Sequence, residues 1–235
     1  MTPDLLAQLL ADRQAKRLVV LATNLKSGRS ELLYPFENQE NSELAEQARL
    51  AARADKSATV ETAAGPVFLN VFNPRLRMIL VGAVHIAQAL APMARLAGWE
   101  VLIVDPRRAW ATPERFPDVT VLDQWPDDAL AALEPDRRTA IVTLTHDPKL
   151  DDPALGAALR SDAFYIGALG STRTHAKRLQ RLQREGFGPA DFNRIHGPIG
   201  LDIGAKSPAE IAVAILAQVT ETLRRPPRPA ATVAA

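Results

Sequence analysis

Hydrophobic and polar positions alternate with two different periods along the chain, and the change of period divides it. In residues 4–16, Leu5, Leu6, Leu9 and Leu10 fall at helical spacing, and the β-rich run Leu18–Ala22 follows directly. Ser27-Gly28 marks a turn before Leu32-Leu33-Tyr34. The alanine-rich stretch 42–54 reads as a helix, and residues 58–72 read as two strands turned at Gly65-Pro66. The pattern predicts a small N-terminal α/β domain over residues 1–72. Asn73-Pro74-Arg75 then interrupts it, because proline stops a strand and restricts the residue before it, so the domain boundary is expected there.

Beyond the boundary the apolar runs become regular, at 76–81, 100–104, 119–122, 139–144 and 163–166, most of them separated by helix-length segments. Repeated strand–helix units predict a Rossmann-like α/β domain over residues 74–223, with a mostly parallel sheet and helices on both faces. Such sheets gather ligands beyond the carboxyl ends of their strands. The proline- and alanine-rich tail, 224–235, is expected to be disordered.

Composition narrows the chemistry. With 28 Lys and Arg against 27 Asp and Glu, the net charge of +1 provides no global field for nucleic acid or an anionic membrane, and neither is expected as a partner. The absence of cysteine excludes disulfides, thiolate ligands, a cysteine nucleophile and a persulfide carried on this chain. The N-terminus lacks a basic and apolar leader and no apolar run approaches a membrane span, so the cytoplasm is the expected location.

Four strand-to-loop transitions hold the candidate residues. In the first, Gly82-Ala83-Val84-His85 opens a helix and Asp105 ends the next strand 23 residues after Gly82, which nearly reproduces a dinucleotide fingerprint. Val84 stands where the fingerprint needs its second glycine and obstructs the usual pyrophosphate pose; an ordinary strand–helix turn is the alternative. In the second, Gly167, Gly170, Ser171 and Arg173 precede a helix whose Lys177, Arg181 and Arg184 share one stripe. That suits a phosphate-bearing ligand or an acidic partner, against a plain serine cap and a solvated charged face. The third, Gly200-Leu201-Asp202-Ile203-Gly204-Ala205-Lys206, places a charged pair in a glycine-rich loop, while Ser207-Pro208-Ala209-Glu210 is a helix-starting capping box. The fourth is Thr143-Leu144-Thr145-His146-Asp147 at the end of a buried strand. The histidines and aspartates match no compact ligand motif, so no metal site is assigned. No nucleophile elbow or Walker loop appears, and no catalytic residue is assigned.

Together, Gly82-Ala-Val-His-Ile-Ala, Val104-Asp-Pro-Arg-Arg, Thr145-His-Asp-Pro, Tyr165-Ile-Gly-Ala-Leu-Gly-Ser-Thr-Arg and Gly197-Pro-Ile-Gly-Leu-Asp-Ile-Gly-Ala-Lys-Ser-Pro-Ala-Glu-Ile-Ala resemble the XdhC/CoxI family of xanthine dehydrogenase accessory proteins. The resemblance covers residues 74 to about 222. It implies a factor that binds molybdenum cofactor, promotes its sulfuration with a cysteine desulfurase, and assists its insertion into an apo molybdenum hydroxylase of the xanthine dehydrogenase type. It carries over Gly82, Ala83, His85, Asp105, His146, Asp147, Gly167, Gly170, Ser171, Arg173, Gly200, Asp202, Gly204 and Lys206 as cofactor-binding positions. The front of the chain lacks the family's Gly-Ser-x-x-Arg and cysteine-containing segments, so cofactor binding is not assigned to residues 1–72. A homodimer is left open.

Two other classes compete. One is an oxidoreductase or transferase that binds NAD, FAD or CTP, with pyrophosphate at the Gly82 turn and ribose on Asp105. The other is an adaptor that docks the hydroxylase through the basic stripe at 177–184 without touching cofactor.

Overall fold

Val19–Ala22 is buried at every position, where a one-sided strand would alternate, because a helix covers each face. The structure, a computed structural model, describes residues 1–37 and 42–225, and the chain divides into two units between Pro74 and Arg75. In the first unit α1 (Pro3–Gln14), β1 (Val19–Asn24), β2 (Ser30–Leu33), α2 (Glu43–Ala54), β3 (Ala58–Thr62) and β4 (Gly65–Phe72) build an antiparallel sheet in the order β2-β1-β4-β3. Val19 and Leu21 meet Leu9 of α1, while Val20 and Ala22 meet Ala48, Ala51 and Ala52 of α2. Leu6 and Leu10 are exposed, so α1 buries a narrower stripe than its four leucines suggest. The hairpin between β3 and β4 turns at Ala63-Ala64, two residues before the expected Gly65-Pro66. Both of those residues pair within the ladder, Gly65 with Thr62 and Pro66 with Glu61.

The second unit contains β5 (Arg77–Val81), α3 (His85–Leu96), β6 (Glu100–Val104), β7 (Thr120–Leu122), α4 (Pro126–Leu133), β8 (Thr139–Thr143), α5 (Pro148–Arg160), β9 (Tyr165–Ala168), α6 (Thr172–Arg184), α7 (Pro189–Phe192), β10 (Ile195–His196) and α8 (Pro208–Arg224). All its strands pair in parallel, in the order β10-β9-β8-β5-β6-β7. Both faces are covered, as the continuous apolar runs predict. Met78 and Leu80 of β5 pack toward α3 and α8, and Ile79 and Val81 pack toward α4, α5 and α6. This is a doubly wound, Rossmann-type sheet whose strand order reverses between β5 and β8. In sheets of this kind the reversal marks where ligands are expected, at the carboxyl ends of those two strands.

Among the described residues no helix is long and apolar enough to cross a membrane. Arg224 closes α8, so the helix reaches the first residue of the expected disordered tail; residues 226–235, and that expectation for them, lie outside the described residues.

Candidate functional site

The switch point begins where β5 ends. Gly82 has φ +110°, a conformation open to glycine, and a Cβ there would stand 2.6 Å from Thr145 Cγ2, so the turn rests directly on the loop after β8. The Ala83 amide donates to Asp105 Oδ2 at 2.8 Å, joining the turn to the end of β6. Asp105 is 0% exposed and also accepts from the Arg107 amide at 3.0 Å, Nε at 2.9 Å and Nη2 at 2.8 Å. Burial pushes its carboxyl upward, but these bonds from Arg107 and Ala83 outweigh burial and hold it below the usual carboxylate range. Every acceptor direction is thus engaged within the protein, and a ribose hydroxyl would have to displace Arg107.

Beyond Thr143 the chain turns through His146, exposed at φ +61°, a left-handed conformation uncommon for a side chain of this size. Asp147 accepts from the Lys149 amide at 2.9 Å and caps α5, with Pro148 opening the helix. Ser171 caps α6 through the Thr174 amide at 3.2 Å, beside Gly170 at φ +136°. Arg173 is exposed in the first turn of α6, and His85 in the first turn of α3. Neither α3 nor α6 carries an acidic residue in its first turn; every other helix among the described residues does. Neither first turn therefore supplies its own counter-charge to the helix dipole, although Asp105 stands just before α3 on the Ala83 amide.

The sheet brings the Gly82 turn, Asp105, the Thr145–Asp147 loop and the Gly170–Arg173 loop onto four neighbouring strand ends. Two other candidates, Gly167 and Gly200, are held within the packing of the fold. Gly167 is buried inside β9, where a Cβ would stand 2.4 Å from Ile199 Cδ1 and 2.7 Å from Tyr165 Cε1. Gly200 exchanges hydrogen bonds with the Gln218 side chain at 2.8 and 3.2 Å. Asp202, Gly204 and Lys206 stand exposed in the loop after β10, at the margin of the sheet, and Glu210 receives the Lys206 and Ser207 amides in the expected capping box. The basic stripe is broken as well: Arg181 pairs with Asp152, which leaves Lys177 and Arg184 facing solvent.

Beneath the loops lies a cluster that the sequence pattern did not disclose. Arg178 of α6 is 1% exposed and donates to the Leu169 carbonyl at 2.8 Å. Its Nη2 lies 3.6 Å from Asp151 of α5, also 1% exposed, whose other oxygen accepts from Thr145 Oγ1 at 2.7 Å. Among the described residues, seven buried side-chain polar atoms have no hydrogen-bond partner, and five belong here: Thr143 Oγ1, Asp151 Oδ2, which has only the Arg178 charge at 3.6 Å, His175 Nδ1, Arg178 Nε and Arg178 Nη1. Spacing alone could have placed Arg178 inward, since it shares a face with the buried Leu182.

Burial pulls His175 and His196 below the ordinary histidine value of 6.5, with the Arg178 charge adding to the effect at His175. The unfolded chain then takes up protons first on acidification. This contribution to stability is complete above about pH 6.5 and is lost as pH falls through the depressed folded values. His196 stacks on Tyr165 with ring centres 4.5 Å apart. His196→Phe keeps the stack and removes one titration, so urea unfolding followed from pH 7.5 to 5 should show a shallower decline than wild type.

Residues 78–219 match the family described as the XdhC Rossmann domain. The chain belongs to the XdhC family. Among curated relatives, the Escherichia coli molybdenum cofactor insertion chaperone PaoD is 32% identical over 148 residues, 63% of this chain and 40% of its own. A Bacillus subtilis protein named as a probable xanthine dehydrogenase subunit is 32% identical over 160 residues, 68% of this chain and 46% of its own. The uncharacterized protein YqeB of Escherichia coli is 31% identical over 161 residues, 68% and 30%. The chain thus spans less than half the length of each of these curated relatives. A crystal structure described as a xanthine dehydrogenase from Bacillus halodurans shares the fold, with a TM-score of 0.64 at 23% identity over 93% of this chain and 63% of that one.

Proposed function

We propose that this protein handles molybdenum cofactor for a hydroxylase of the xanthine dehydrogenase type in the cytoplasm, receiving the cofactor as cargo in the crevice between β5 and β8. The observation that carries this reading is the convergence of two acid-free helix N-termini and two glycine turns on that crevice, in a member of the XdhC family. The cargo is a flat pterin with a phosphate. Glycine turns admit a flat ring close to the backbone, and α6 with Arg173 offers amides and a guanidinium to the phosphate. His85 and His146 line the opening, with Asp202 or Lys206 reaching the ring system from the margin.

The names carried by the relatives support the same reading. With no cysteine in the chain, the oxo-for-sulfido exchange draws its sulfur from a cysteine desulfurase, and this protein's share of the work is to hold and present the cargo before it enters the apo-hydroxylase.

Protein purified from a cofactor-replete host should contain molybdenum and pterin in stoichiometric amounts, measured by elemental analysis and fluorescence of the oxidised pterin. Arg173→Ala should retain roughly a tenth or less, as loss of a charged hydrogen-bond donor to phosphate implies. Wild-type protein with neither molybdenum nor pterin would overturn the proposal, and equal loading of the variant would remove Arg173 from it.

A further inference from the structure

Helix α8 has an outer face that the core does not use. Ala212, Ala214, Ile215 and Val219 turn inward, and on the opposite side α8 and α3 leave a groove between them. Met93 of α3, Leu201 of the loop before α8, and Val213, Leu216, Ala217 and Thr220 of α8 line it. None of these six is buried; Val213 is 47% exposed, and Leu96, one turn beyond Met93 on α3, is 90% exposed. Apolar surface gathered in one place marks an interaction site, where a single exposed leucine would not.

The order of residues along α8 identifies what fits there. Glu210, Val213, Ala217, Thr220 and Arg224 recur at intervals of three and four, so they share one face, and residues 211–220 carry no charge. Glu210 in the first turn and Arg224 in the last are both exposed. Ala217 stands seven residues from each, so the face runs acid, apolar, small, polar, base about its own centre. A second α8 laid antiparallel across Ala217 brings the Glu210 of each copy to the Arg224 of the other. It also opposes the helix dipoles and lets the backbones approach at the small residue. A parallel pairing would set acid on acid and base on base. This is the self-complementarity that a two-fold axis requires. The Lys206 and Ser207 amides both reach Glu210 Oε2, at 2.8 Å, so an ion pair at Oε1 does not compete with the helix cap.

We propose that this face of α8, with the groove beside α3, binds a second copy of the chain in an antiparallel, two-fold pairing centred on Ala217. The proposal goes beyond the cargo reading and does not rest on it.

Sedimentation velocity of the full chain across the micromolar range tests it, and should show reversible formation of a species of twice the chain mass. Ala217→Arg sets two like charges on the axis and should raise the dissociation constant at least about tenfold; Val213→Glu, at an exposed position, repeats the test should that variant fail to fold. The charges fix the direction of pairing. Arg224→Glu and Glu210→Gln should each weaken the dimer alone, yet Glu210→Gln added to Arg224→Glu should tighten it, because glutamine keeps the helix cap and removes the repulsion. The chain has no cysteine, so Ala217→Cys supplies a sole thiol, which should form a disulfide-linked dimer on mild oxidation. A chain that stays monomeric throughout, as expected if a client protein covers the groove, would overturn the proposal. So would a dimer indifferent to Ala217→Arg and Val213→Glu, or a double charge variant no tighter than Arg224→Glu.

Discussion

Arg178→Ala will destabilise the second unit by about 3–5 kcal/mol, the cost of leaving one member of a buried ion pair without the other. Asp151 would keep its bonds from Thr145 but lose its facing charge in a site that already pushes its carboxyl upward by burial. The Leu169 carbonyl would lose its donor as well. All three tryptophans, at 99, 110 and 125, lie in the second unit, so their fluorescence during urea unfolding reports that unit alone. The double variant Arg178→Met with Asp151→Asn should recover at least half of the loss. It removes both charges at similar volume, and the introduced amide would retain an oxygen for Thr145. A double variant no more stable than Arg178→Ala would mean that the charges themselves, more than their mismatch, hold the cluster together.

The second large effect is expected at Asp105. Asp105→Ala strands the Ala83 and Arg107 amides and releases the Arg107 guanidinium, a loss of about 2–4 kcal/mol when buried donors go unpaired. Amide hydrogen exchange should accelerate at Ala83 and Arg107 well before global unfolding. In the wild type, the folded carboxyl is held below its ordinary value of 3.8. Its stabilising contribution is therefore present above about pH 4 and disappears as pH falls through the depressed value. The variant should lack that acid limb. Unchanged exchange at Ala83 would show that the Gly82 turn is held by other means.

Much of the fold is legible because its physics is local. Four of the five apolar runs are strands buried on both faces, and continuous hydrophobicity is the pattern such burial leaves; the fifth, at β7, is a half-buried edge. β10 is different: two residues, Ile195 and His196, are too few to establish any period, and pairing with β9 alone makes them a strand. The hairpin in the first unit turned at Ala63-Ala64 because register with β4 used Gly65 and Pro66 in the ladder, a tertiary choice that turn-forming residues could not report.

The site was legible as loops and less so as contacts. Gly82, Asp105 and the Gly170 loop are marked by residue type at strand ends, and the topology lines those ends up. Their partners are long-range: Thr145 beneath Gly82, Arg107 on Asp105 and Arg178 behind Asp151 depend on how helices pack across the sheet. Arg178 sits beside Lys177 but outside the stripe that Lys177, Arg181 and Arg184 form in the sequence, and the helical face turns it inward. Asp147 illustrates the opposite ambiguity. An aspartate before a proline is a helix cap, and the same residue at a strand end also resembles a ligand.

The parallel sheet ends on one side at β10, two residues long, and on the other at β7, three residues long. Each margin offers little open backbone for an incoming strand, which guards against edge-to-edge association. On the cofactor-handling reading proposed above, a hydroxylase or desulfurase would find little strand edge at this sheet, so contacts there would fall on side chains and helix ends, and single surface substitutions should be able to separate one partner from another.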